Sequence, residues 1–396
     1  MCLAEALSMT GFAAYPAFLA LLRDSWGISN SQAGFIGGAY FAGYMTAVPV
    51  LSGLTDRYDA RRIHAGSCLL AALSNLGFAL FADGFVSAAA LQALAGAGLA
   101  GTYMPGLKAL TDRVTGPRQS RFIAFYTSTF GIGTSLSLLL AGWLGRWITW
   151  NWAFGLLAAG PLAAALIVIK GLAPLEPPRS SGRQPALLDS FRVLRDRSVL
   201  AYVLRYAVHC WELFGLRSWM VAFILFGSGL AGSGPPALGA TEAAAIINFL
   251  GIPVSILGNE AAGRFGRERY IPAVMAASGA LAWLTGFSAA WPWWVMLMLL
   301  AVYFVAIMSD SAALTAGLVA STPPHQRGAA MAVYSFGGFG AGFLAPLVFG
   351  FVLDVAGGQN APSAWGIAFG SLGTGCLFAS IVAGFRRNSS GEKTHP

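Results

Sequence analysis

The sequence predicts an all-α integral membrane protein with twelve transmembrane helices in two pseudo-symmetric six-helix bundles. Three observations carry this. The 396 residues are 56% hydrophobic and only 10% charged, with mean hydropathy +0.65. A soluble domain usually carries about 25% charged residues, so this chain cannot cover itself with a polar surface. The apolar stretches recur at membrane length, about 20 residues each. Twenty of the 24 lysines and arginines fall in or beside alternate loops, as positive-inside asymmetry requires.

The expected spans run in order. Span 1 is Cys2 to Leu22, span 2 Ser31 to Ser52, span 3 Ile63 to Phe81 and span 4 Phe85 to Leu110. Span 5 is Arg121 to Trp143 and span 6 Asn151 to Ile169. Span 7 is Val199 to Phe226, span 8 Thr241 to Leu257 and span 9 Tyr270 to Ala290. Span 10 is Trp293 to Ala320, span 11 Gly328 to Val355 and span 12 Ala364 to Phe385. The first stretch has no basic start and no small-residue cleavage site, so it reads as a retained helix.

The polar stretch 171–198 divides the chain into bundles 1–170 and 199–385, followed by a tail 386–396. Its first part, Pro174 to Pro185, is rich in Pro, Ser and Arg and reads as flexible. From Ala186 to Asp196, Leu187, Phe191 and Leu194 share one helical face, predicting a short amphipathic helix at the membrane surface. With this count both termini are cytoplasmic, and the membrane is the inner (plasma) membrane of a bacterial-style cell.

Net charge +8 does not point to nucleic acid, because the basic residues border apolar spans. The four cysteines sit in separate apolar segments without metal-like spacing. No metal, no cofactor and no catalytic residue is expected. The glycines allow close helix packing; no strand precedes them, so they form no phosphate loop.

Between spans 2 and 3 lies Gly53-Leu54-Thr55-Asp56-Arg57-Tyr58-Asp59-Ala60-Arg61-Arg62. It resembles the loop G-x-L-x-D-R-x-x-x-R-R of the major facilitator superfamily (MFS). Gly53, Leu54, Asp56, Arg57, Arg61 and Arg62 match. Weak internal repetition agrees: Arg57 recurs as Arg264 and Arg62 as Arg269, offset by 207, and Tyr126 recurs as Tyr334, offset by 208. The second loop keeps Arg264 but places its acid early, at Glu260. In span 4 the motif R-x-x-x-G-x-G keeps Gly96 and Gly98 and has Gln92 for the arginine. The Gly-Pro pair of drug antiporters and the marks of nitrate porters are missing.

The resemblance implies secondary active transport of a small solute by alternating access, with spans 1, 4, 7 and 10 lining the cavity. It implies gating by Gly53, Asp56, Arg57, Arg61, Arg62, Glu260 and Arg264, with Asp56 near the start of span 11. A family span 1 would begin upstream of Met1, which embeds Glu5.

Span 7 carries Arg205, His209 and Glu212 on one helix face, and Arg217 elsewhere. Asp310 of span 10 falls at the depth of His209. Charges at bilayer depth are costly and persist where they face protein or water. The residues predict one polar cluster of Arg205, His209, Glu212 and Asp310, serving a proton and a substrate anion. The alternative is a permanent Arg205–Asp310 tie between spans. In the first bundle, Tyr15 and Tyr103 are the cavity candidates, with plain packing as the alternative. The function read from these residues is proton-coupled symport of a small organic anion by a monomer that meets only its solute, protons and lipid. An uncoupled facilitator, an exporter of a small amphipathic compound and, more remotely, a transporter-like receptor are the alternatives.

Overall fold

The computed structural model describes all residues except 115, 117–118, 176–190, 231–237, 324–325 and 392–396. For 120 and 381–391 only the backbone is described. Among the described residues ten helices are long and apolar enough to cross a membrane. They are Asn30–Leu54 (span 2), Ala60–Phe81 (span 3), Phe85–Thr111 (span 4) and Arg121–Gly145 within Gln119–Gly145 (span 5). Trp150–Gly171 (span 6), Arg197–Leu230 (span 7), Ala240–Phe265 (span 8), Arg267–Ala290 (span 9), Trp293–Ser321 (span 10) and Arg327–Val355 (span 11) complete them. Span 12 is Pro362–Gly391. Span 1 makes twelve and is broken in two.

That break corrects the continuous helix expected over Cys2 to Leu22. Helix Cys2–Ser8 ends, residues 9–13 form turns, and Ala14–Trp26 resumes. Ser137 of span 5 fills the gap. Its hydroxyl accepts from the Ala13 N–H at 2.9 Å and donates to the Thr10 carbonyl at 2.7 Å. Thr10 in turn donates to Leu157 O of span 6 at 2.8 Å. A membrane interior tolerates broken helices only where such partners restore the freed backbone groups.

The ends are set by local chemistry. Ser29 and Gln32 form a reciprocal capping box before span 2. Asp59 caps span 3 by accepting from Arg61 N–H. Spans 8 and 9 are separated by Gly266 alone, at φ +85, a left-handed turn that a side chain would strain.

The chain packs as two compact units. One comprises Met1–Ala186, Met220–Ala222 and Ala237–Phe249; the other comprises Leu187–Trp219, Phe223–Pro236 and Leu250–Pro396. Within the first, Arg146 of span 5 pairs with Glu242 at the start of span 8. Its core includes Phe78 stacked on Phe154 with ring centroids 4.2 Å apart. In the second, Trp219, Phe349, Trp365 and Phe369 interlock, and the Trp219 indole donates to Pro346 O at 3.0 Å. Large apolar residues such as Leu80, Phe81, Val86 and Phe378 lie exposed, as a lipid-facing surface demands.

Both units bring backbones into contact at the same pair of positions in the helix order. A methyl on Gly96 of span 4 would strike Tyr40 O of span 2, and one on Gly43 would strike Ala93 O. In the second unit a methyl on Gly258 of span 8 would strike Ser309 O of span 10. Association of helices in lipid rests on this kind of close packing.

The connector differs from its expected form. Phe191–Arg195 is a 3-10 helix, and residues 186–190, with Leu187, lie outside the described residues. Phe191 and Leu194, partly buried, pack against the core of the second unit.

Candidate functional site

His209 and Asp310 meet. Each sits about 17 Å along its helix from the ends Arg197 and Ser321. The His209 Nδ1 lies 2.7 Å from Asp310 Oδ1, with both side chains almost fully buried, a close charge contact in which Oδ1 lacks hydrogen-bond geometry. The Tyr206 ring stacks between His209 (5.9 Å) and Tyr334 (3.7 Å), and the Tyr334 hydroxyl is 3.0 Å from Thr315 Oγ1. Tyr206 fits because span 11 has Gly338 where a methyl would strike its ring.

The expected single cluster divides into three. Glu212, 2% exposed, turns to spans 9 and 12. Its Oε2 accepts from Ser278 at 2.9 Å and from the Cys376 thiol at 3.0 Å. Its Oε1 has no hydrogen-bond partner among the described residues. Arg205 joins neither acid. Its guanidinium is 3.7 Å from Glu268 and 5.8 Å from the Tyr202 ring. One turn of helix separates Arg205 from His209, and its long stem carries the guanidinium toward the first turn of span 9. The permanent Arg205–Asp310 tie is therefore absent too.

Arg205 instead borders a cavity of about 520 Å³ in the second unit. Leu204, Trp211, Ala341, Thr374 and Phe378 are among its walls, and Leu204 and Phe378 belong to the exposed apolar surface, so the cavity opens on the lipid-facing side of the unit. The Trp211 indole donates to Ser371 O at 3.3 Å, which fixes one wall. A cavity of this size can take a small molecule.

In the first unit, Tyr15 is buried and its hydroxyl already donates to Ala33 O at 2.9 Å, so it packs. Tyr103 stays half-buried, stacked on Tyr126 and edge-on to Phe130. In the 53–62 loop, Gly53 and Asp56 are half-buried, and Arg57 and Arg62 are exposed. Arg61 is buried and donates to Leu172 O at 2.7 Å and Ile169 O at 3.3 Å. Glu260 and Arg264 are exposed.

Sequence reasoning missed Asp59. Its carboxylate accepts from Arg113 at 3.1 Å, Arg61 N–H at 3.0 Å and Leu175 N–H at 2.9 Å. Burial raises its pKa, but the bonds from Leu175, Arg61 and Arg113 outweigh this and hold it below the usual carboxylate value. Asp59 lies in the 53–62 loop, four residues before the predicted start of span 3 at Ile63, whereas the helix begins at Ala60. His64 and Tyr126 were also missed as partners of Glu5, because residues so far apart in sequence announce no contact.

No group of three potential metal ligands occurs among the described residues. Ten described helices long and apolar enough to cross a membrane, with a few ionisable groups buried among them, define a multi-pass membrane protein. The chain belongs to the Major Facilitator Superfamily, whose sequence model matches residues 1–337.

Among its relatives, the 3-(3-hydroxy-phenyl)propionate transporter of Escherichia coli (strain K12) is 29% identical over 152 residues, 38% of this chain and 37% of that one. Protein spinster homolog 1 of Homo sapiens is 23% identical over 230 residues, 55% of this chain and 43% of that one. The chain thus spans less than half the length of the curated relatives it matches. A bacterial homolog to the human lysosomal transporter Spinster, solved in an inward-facing and unoccupied conformation, shares the fold with TM-score 0.77 at 16% identity. That match covers 96% of this chain and 93% of that chain. The relatives and the fold are those of transporters, not enzymes.

Proposed function

We propose that this transporter is a proton-coupled carrier of a small organic anion, working by alternating access between bundles 1–170 and 199–385. The observation that carries this reading is the buried contact between His209 and Asp310. A histidine facing a carboxylate in a dry site shares one proton with it. Losing that proton leaves a bare buried charge unless water or a ligand compensates. That requirement is what couples proton movement to a conformational cycle.

Arg205 supplies the anion site in this reading. Its partner Glu268 is 69% exposed and 3.7 Å away. Exposed ion pairs contribute only about 0–1 kcal/mol, so a substrate carboxylate displaces Glu268 at little cost. The cavity beside Arg205 takes the apolar body of the substrate. The relative that handles a hydroxyphenyl propionate supports an aromatic or amphipathic carboxylate. Spinster-like relatives make export of a small amphipathic compound the second reading.

The gating loops hold Gly53, Asp56, Arg57, Arg61 and Arg62 in one bundle, and Glu260 and Arg264 in the other. In this reading these loops and both termini lie on the cytoplasmic side of the inner membrane, which the basic residues beside them support. The protein acts as a monomer. The test is uptake of 3-(3-hydroxyphenyl)propionate into proteoliposomes under an imposed pH gradient. Uptake driven by an inward proton gradient and removed by a protonophore supports the reading. Uptake indifferent to the protonophore supports an uncoupled facilitator instead.

A further inference from the structure

The cavity beside Arg205 has one charged end, an apolar body and an opening toward lipid. We propose that it is a groove for an anionic phospholipid, with the phosphate on Arg205 and one acyl chain lying along spans 7, 11 and 12. The lipid comes from the leaflet at the Arg197 end of span 7, the inner leaflet in the orientation proposed above. The site does not depend on the carrier reading; where a substrate carboxylate also reaches Arg205, lipid and substrate exclude each other.

Depth is the first argument. Span 7 has 34 residues, Arg197–Leu230, and is about 51 Å long. A hydrocarbon core about 30 Å thick, centred on this helix, leaves about 10 Å projecting at each end. Arg205 lies about 12 Å from Arg197, at the boundary between headgroups and hydrocarbon. That is the level of a lipid phosphate. Trp211 lies about 9 Å deeper along the same helix. Span 12 runs antiparallel: Ser371 O accepts from the Trp211 indole, and a methyl on Gly375 would meet Val208 at 3.7 Å. Arg205 and Phe378 therefore stand at the mouth of the groove, and Trp211 at its deep end.

The wall between them is hydrocarbon. Its donors are used within the protein: Trp211 on Ser371 O at 3.3 Å, Ser371 on Ala368 O at 2.6 Å and Thr374 on Gly370 O at 2.7 Å. Small residues, Ala207, Ala341 and Gly375, leave the depth that a chain needs. A polar solute would leave its own hydrogen bonds unmade against such a wall, whereas an acyl chain has none to lose. Leu204 is 56% and Phe378 68% exposed, so the groove fills from the bilayer.

The mouth attracts an anion. Glu268 is 3.7 Å from the Arg205 guanidinium, beyond hydrogen-bond reach. Tyr202 ties the same glutamate to span 7 at 3.4 Å, so the starts of spans 7 and 9 lie side by side. Exposed arginines gather at these ends: Arg192, Arg195 and Arg197 before or at span 7, and Arg264 and Arg269 around Gly266. The exposed acids there are Asp196, Glu260 and Glu268, and Asp196 is occupied in capping span 7 through Ser198 N–H at 2.7 Å. Basic pockets at the ends of membrane helices bind anionic headgroups.

The test uses the full chain in lipid nanodiscs, with brominated lipid as a contact quencher of tryptophan. The chain has 12 tryptophans, so the Trp211 contribution is the difference between the parent and Trp211→Phe. Phosphatidylglycerol with brominated chains is compared with phosphatidylcholine carrying the same chains, each at the same low fraction in unbrominated phosphatidylcholine. The parent is expected to show about fivefold enrichment of the anionic lipid at Trp211. Arg205→Gln removes the preference, Arg205→Lys keeps part of it, and Glu268→Gln raises it by removing the internal competitor. Equal quenching by the two lipids in the parent overturns the proposal. So does a preference that survives Arg205→Gln or, where that variant fails to fold, one unmoved by Glu268→Gln. A Trp211 shielded from both lipids also overturns it, because protein rather than lipid then covers the groove. No substrate is present and no transport is read, so this result is separate from the fate of the carrier reading.

Discussion

The Nδ1 of His209 stands 2.7 Å from Oδ1 of Asp310, joining spans 7 and 10 through one buried contact. Removing one partner of a buried charge pair strands the other at a cost of about 3–5 kcal/mol, and 1.4 kcal/mol is a tenfold change in an equilibrium. Asp310→Asn and His209→Asn are each expected to lower gradient-driven uptake by about tenfold or more. The double variant is expected to be no worse than the worse single, because the two residues act as a unit. Initial uptake rates in proteoliposomes check this. Additive losses would show that the residues act apart.

Arg205 and Glu268 form the weak pair beside the apolar cavity. Glu268→Gln is expected to leave the fold intact and tighten binding of a small aromatic carboxylate, by removing the internal competitor for Arg205. Arg205→Ala is expected to weaken it by about tenfold or more, with Arg205→Lys in between. Tryptophan fluorescence titration is suited to this, since Trp211 lines the cavity.

Asp59 predicts a pH dependence whose sign is fixed. Its folded pKa lies below the unfolded value of about 3.9. The stability it contributes is complete above that value and is lost as pH falls through the lower folded one. Asp59→Asn is expected to destabilise the protein by roughly 1.5–3 kcal/mol at neutral pH, and the gap to the parent is expected to narrow in acid. Thermal unfolding at a series of pH values reads both.

Gly96 and Gly258 sit where helix backbones touch. Gly96→Ala and Gly258→Ala are each expected to destabilise by about 1–3 kcal/mol, since overpacking forces backbone shifts. Gly53→Ala meets nothing within 4 Å and serves as the control. Comparable losses at Gly53 would remove the packing explanation.

The spans were legible because hydrophobic length and the placement of arginines are properties of the sequence alone. The meeting of His209 with Asp310 followed from counting depth along two helices. The break in span 1 was not legible, because its replacement partner, Ser137, lies more than a hundred residues away. Nor was Arg205's turn to Glu268, since a flexible side chain reaches well beyond its own helix face. The loop motif drew attention to Asp56, yet the hub of hydrogen bonds is Asp59, whose partners Arg113 and Leu175 arrive from other segments. Glu5 was noticed for its depth, but its histidine partner on span 3 is a product of folding.

The most direct test of the central claim records internal pH in proteoliposomes while small aromatic carboxylates are added outside, with parent and Asp310→Asn proteins side by side. The account predicts that at least one such anion acidifies the lumen through the parent protein and fails to do so through the variant. Anion entry through both proteins without any movement of protons would contradict it.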